Sequence, residues 1–113
     1  MKLNKLGATV ALLTAATAAL ALPSFLTDFK KLASPKAGTA LAKESCGICH
    51  NGMKIKEFNP YGADLKKEMD AAKTKKITPE ILAKIANKDS DGDGVKNGDE
   101  IKAGTLPGDK NSK

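Results

Sequence analysis

Cys46-Gly47-Ile48-Cys49-His50 lies near the middle of the chain, and its reading governs that of everything around it. On a helical turn, residues three and four apart share a face, so Cys46, Cys49 and His50 can all address one flat ligand. Two thiols can join the vinyl groups of a porphyrin while the imidazole takes one axial position on its iron; Cys-x-x-Cys-His is the attachment pattern of a c-type haem. The same thiols would also serve a redox dithiol, a structural disulfide or half of a zinc site. A thioredoxin-like motif needs a βαβ setting, yet no strand-like alternation precedes Cys46. After His50 the chain has no further Cys or His with which to close a zinc shell.

The N-terminus supplies a context for such a group. Lys2 and Lys5 precede an uncharged, Ala- and Leu-rich run from Gly7 to Leu22, and Ala19-Leu20-Ala21 has the form of a cleavage site. Residues 1–21 therefore read as a signal peptide. Pro23 and Ser24 interrupt the run before it gains the ~20 clean apolar residues of an uncleaved anchor. Haem is attached to c-type cytochromes outside the cytoplasmic membrane, so the two signals agree on a periplasmic, extracellular or cell-surface location. No later segment is apolar enough to span a bilayer, and no stable membrane span is expected after cleavage. Residues 22–34 read as a linker and residues 35–113 as one small domain.

About ninety residues make a core of marginal size. Phe25, Phe29, Phe58 and Tyr61 are the whole aromatic inventory, with no Trp, and a buried cofactor would add the flat apolar surface they lack. All nineteen basic residues are Lys, against the Arg that bidentate phosphate or carboxylate recognition favours. Between Ser24 and Lys88 there are thirteen Lys and seven acids, whereas Asp89 to Lys113 carries six acids and four Lys. The basic part is suited to steering encounter with an acidic redox partner. Without Arg or a base-reading motif, nucleic acid is not an expected partner.

Helix starts are marked by Ser34-Pro35, Asn59-Pro60 and Thr78-Pro79, each a capping residue followed by proline. The first is expected to open a helix running through Ala37, Leu41, Ala42 and Ser45 into the Cys-x-x-Cys-His turn. The second carries Tyr61, Leu65, Met69 and Ala72 on one stripe, and the third carries Ile81, Leu82 and Ile85 and ends near Lys88. With no strand signal recognised, the expected fold is all-α: short helices around one covalent haem.

Residues 89–100, Asp-Ser-Asp-Gly-Asp-Gly-Val-Lys-Asn-Gly-Asp-Glu, match a twelve-residue calcium loop. Asp89, Asp91 and Asp93 would ligate through side chains, Val95 through its carbonyl, Asn97 directly or through water, and Glu100 with both oxygens. Gly94 occupies the sharp sixth position. Five acids within twelve residues would repel one another without a cation. Position 8, the branched apolar residue of paired regulatory loops, is Lys96, and the helix after Glu100 is cut short by Gly104 and Pro107. A single unpaired loop points to a structural calcium site rather than a sensor.

Together the signal peptide, the haem motif, the Asn59-Pro60-Tyr61-Gly62 turn, the Asp-rich loop and Ala103-Gly104-Thr105-Leu106-Pro107-Gly108-Asp109 resemble small exported monohaem c-type cytochromes of bacteria. The loop is itself similar to the Asp-x-Asp-x-Asp-Gly repeats of thrombospondin type 3 and dockerin-like modules. The resemblance implies a non-enzymatic electron carrier or haem module, with haem on Cys46 and Cys49 and His50 as its proximal ligand. His50 is the one histidine, and Met53 is too near it to reach the opposite haem face. Met69 is the candidate distal ligand, its competing role being a core residue of the helical stripe. Two further readings compete with electron transfer: a haem-based ligand binder with an open sixth position, and a calcium-dependent assembly module that self-associates. A peroxidase would need a distal His or Arg that this chain does not have.

Overall fold

The computed structural model describes residues 22–113, so the expected signal peptide, residues 1–21, lies outside the described part. Among the described residues there are five α-helices: α1 (Leu22–Ala33), α2 (Ala40–Lys43), α3 (Pro60–Ala71), α4 (Pro79–Ala86) and α5 (Asn97–Ala103). Two short strands, β1 (His50–Asn51) and β2 (Lys54–Phe58), pair antiparallel, His50 opposite Phe58 and Asn51 opposite Lys54, with an irregularity between the two pairs. The all-α expectation is thereby corrected to a mixed fold of helices and a small sheet. The hairpin turn is Gly52-Met53, and Gly52 at its first position takes a φ of +63° that a side chain would disfavour. Every β2 residue is exposed. With no buried face, the strand leaves no apolar alternation for a periodicity reading to detect.

The segment read as a linker is helical as well. α1 carries Phe29 into the core, where its ring meets that of Tyr61 edge-on at a centroid distance of 6.1 Å. The helix expected from Pro35 onward is much shorter: Thr39, not Ser34, caps α2 by accepting from the Ala42 N–H at 3.3 Å. Cys46–Ile48 then forms a single 3₁₀ turn. The other two start signals hold. Asn59 caps α3, Thr78 caps α4, and proline is at the first helical position of both. The core is formed by Phe29, Leu41, Ile48, Tyr61, Leu65, Ile77, Ile81 and Ile85. Along the expected α3 stripe, Tyr61 and Leu65 are buried, Met69 is half-buried and Ala72 is exposed. α4 packs against both α3 and α5.

The segments before and well after the motif meet beside it. The Leu41 N–H donates to the Gly104 carbonyl at 2.9 Å, and Gly104 ends α5 in the left-handed region, pressed against Thr39. Pro107 is fully buried, and Gly108 abuts the side chain of Asn59 so closely that a Cβ there would sit 2.4 Å from it. Gly62 is tighter still: a Cβ at this position would lie 1.9 Å from the Cys49 carbonyl oxygen. Gly62→Ala should therefore lower the urea-unfolding free energy by about 2–3 kcal/mol through overpacking. Ala63→Gly, at an exposed site on the same helix, should cost only about 1 kcal/mol through propensity. Equal effects of the two changes would remove the close approach of α3 to the motif.

Candidate functional site

Asn59 fastens the Cys46–His50 segment to α3. Its Oδ1 accepts from the Gly62 N–H at 2.8 Å, while its Nδ2 donates to the carbonyls of Gly47 and Ile48, both at 3.0 Å, and of His50 at 3.4 Å. The Asn59 N–H adds a 3.0 Å bond to the Cys49 carbonyl. Four consecutive carbonyls of the Cys46–His50 segment thus converge on one nearly buried asparagine. Helix cap and motif brace are one group.

Cys46, Cys49 and His50 share the wall of an apolar cavity of about 590 Å³. Phe25, Leu26 and Phe29 of α1 form another part of its lining, and Ile55 and Phe58 of β2 a third. A smaller cavity of about 280 Å³ is bordered by Cys49, His50, Gly62, Leu65 and Met69. Cys49, His50 and Met69 are therefore brought to one cavity, whereas Cys46 borders only the larger one. The His50 ring stacks on Phe58 with centroids 4.9 Å apart, and its buried Nδ1 has no hydrogen-bond partner. Phe25, Ile55 and Phe58 remain partly exposed around these cavities, an apolar rim of which Phe25 falls in the segment read as a linker.

Both thiols are free. Burial, reinforced by the charge of Cys46, pushes the Cys49 thiol up to about 12. A dithiol oxidoreductase needs a thiol lowered toward neutrality, so this environment runs against that chemistry. The hydroxyl of fully buried Tyr61 has no hydrogen-bond partner, and burial raises its pKa far above the usual phenol range.

The second candidate site is the loop between α4 and α5. Asp89, Asp91 and Asp93 each offer an oxygen, all within 4.8 Å of one another, a group that could hold a metal ion such as calcium. Loop amides shape it: Asp89 accepts from the N–H groups of Gly92, Asp93 and Gly94, and Asp93 accepts from that of Val95. Gly92 and Gly94, at φ of +72° and +89°, permit the turns. Glu100 projects from α5 with 1% exposure, and neither of its oxygens has a hydrogen-bond donor. Burial first, and then the three aspartates it faces, push its carboxyl up to about 8. Asp91 is raised as well, chiefly by burial, whereas the Val95 N–H lowers Asp93.

Asn97, placed by the loop pattern among the ligands, is engaged elsewhere. Its side chain is fully buried, with Oδ1 accepting from the Ser90 N–H at 3.1 Å and Nδ2 donating to the Ile85 carbonyl at 2.8 Å and to Ser90 Oγ at 2.7 Å. Ser90 Oγ in turn donates to Asp64 on α3 at 2.7 Å, and Lys88 pairs with the same carboxylate at 3.7 Å. These links join residues far apart in sequence and leave no motif to read. Among the described residues, no helix is long and apolar enough to cross a membrane.

The folded, metal-free chain keeps the Glu100 proton up to about pH 8, while the unfolded chain releases it near 4.5. Between those values the folded state binds more protons, so stability falls as pH rises through that window. The thermal midpoint in chelator should accordingly be lower at pH 8 than at pH 5, and Glu100→Gln should flatten the difference. A wild-type midpoint that rises over the same interval would contradict the placement of Glu100. No family model, curated protein or solved structure matches this chain.

Proposed function

We propose that the protein is a small exported electron-transfer module carrying one c-type haem on Cys46 and Cys49, with His50 as axial ligand and a structural calcium site at residues 89–100. The observation that carries the haem part is the convergence of both free thiols and the lone imidazole on one apolar cavity. A haem bound there supplies a one-electron couple. The chain's own residues do the rest: Asn59 holds the motif backbone in register, and Phe25, Leu26, Phe29, Ile55 and Phe58 exclude water. The unpartnered His50 nitrogen and the protonated Cys49 thiol suit axial ligation and thioether formation better than dithiol redox chemistry. Met69, bordering the same cavity as His50, is the proposed distal ligand. An acidic redox partner fits the lysine excess of residues 24–88.

The calcium part rests on Glu100, whose two buried, unpartnered oxygens face Asp89, Asp91 and Asp93. Calcium takes six to eight oxygens at about 2.3–2.6 Å, and a cation there would satisfy both the buried acid and the repulsion among the aspartates. The Val95 carbonyl completes the protein donors, with water filling the remaining positions.

Absorption spectra of the exported, purified protein should show c-type haem bands that persist through acid–acetone extraction and vanish in a Cys46→Ala, Cys49→Ala double variant. Extractable haem, or none, would end the haem reading. Met69→Ala should abolish the weak far-red band of methionine–ferric iron ligation; an unaltered spectrum would assign the sixth position elsewhere, and carbon monoxide binding by the reduced wild type would favour a ligand binder. Calcium at about a hundred times its dissociation constant should add ~2.7 kcal/mol of stability, a rise in midpoint on the order of 10 °C, with chelator reversing it.

A further inference from the structure

Between α4 and α5 the chain leaves the helical layer at Lys88 and re-enters it at Asn97, and the two points are fastened together. The Asn97 N–H donates to the Lys88 carbonyl at 2.7 Å, and its side chain makes three further bonds to Ser90 and Ile85. The orientation of the amide is unambiguous, because the Ser90 N–H can only donate and the Ile85 carbonyl can only accept. Each end of the Asn97 amide is therefore committed, in a fully buried position, to groups outside the acidic cluster. From Ser90 the connection continues to Asp64 on α3, the helix whose cap, Asn59, braces the Cys46–His50 segment.

We infer that Asn97 is a positioning residue of the calcium site rather than one of its ligands: it clamps the neck of the loop and, through Ser90 and Asp64, ties cation binding to the helix that holds the haem motif. The inference rests on the calcium reading, with the ligand set reduced to Asp89, Asp91, Asp93, the Val95 carbonyl and Glu100. It follows that the buried amide cannot be exchanged for a carboxylate. Aspartate at this position offers the same oxygen to the Ser90 N–H but sets a second oxygen against the Ile85 carbonyl, where the structure needs a donor. A ligand at the ninth loop position would behave in the opposite way, because an added negative charge beside the cation strengthens binding.

Calorimetric titration of calcium chloride into the full, chelator-stripped, haem-bearing protein separates these cases. Asn97→Asp should bind calcium at least about tenfold more weakly than the wild type; equal or tighter binding overturns the inference. Should that variant not fold without calcium, Ser90→Ala decides, since it removes only the hydroxyl between Asn97 and Asp64. Calcium should slow amide hydrogen exchange in α3 of the wild type, and in Ser90→Ala that slowing should be lost although the loop still binds the cation. Wild-type slowing in Ser90→Ala overturns the coupling. Absence of any calcium binding by the wild type overturns the calcium reading itself, a result distinct from either variant's failure.

Discussion

One side chain, Asn59, satisfies the backbone where it is least able to satisfy itself. A 3₁₀ turn followed by a two-residue strand leaves the carbonyls of Gly47, Ile48 and His50 pointing away from any regular ladder, and burying them unpaired would cost about 1–3 kcal/mol each. The Asn59 amide collects all three while its oxygen begins α3. Because the helix is started by the same group, the axis of α3 and the path of the Cys46–His50 segment cannot vary independently. Gly62 completes the constraint by letting the Cys49 carbonyl approach the helix backbone closely.

α3 then serves as a beam between two kinds of chemistry. At its start lie thiols, imidazole and apolar walls; along its outer side Asp64 reaches the acidic loop. The ends differ in how they treat water. The cavities at the motif are lined mainly by apolar side chains, whereas the loop keeps a carboxylate buried without a donor beside three aspartates that could hold a small hard cation. In the bare chain both ends retain unsatisfied potential, in the first case apolar surface and in the second negative charge.

Much of this was legible in the primary structure, for reasons that can be named. Asn59-Pro60 and Thr78-Pro79 announced helices because caps are local, depending on bonds within three residues. The acidic loop was legible because its geometry is written at fixed offsets within twelve positions. By contrast, the hairpin turns on a single glycine, Gly52, and joins a strand exposed on both faces that has no apolar alternation to reveal it. α1 looked like a linker because its one deep anchor, Phe29, finds its partner Tyr61 thirty-two residues away. Asn97 fits the ninth loop position by offset, and offset alone does not reveal that its amide is bonded to Ile85 and Ser90.

The closure of the C-terminal segment over Asn59 bears on the order of events during synthesis. Gly104, Pro107 and Gly108 complete the surroundings of the motif, yet they are made well after it. Until they arrive, Leu41 lacks its carbonyl partner and Asn59 its cover. A chain emerging N-terminus first therefore exposes the Cys46–His50 segment before the contacts that close around it exist. The Cys46–His50 turn cannot reach its native packing until residues 104–108 have been added, and the two are fixed in one step.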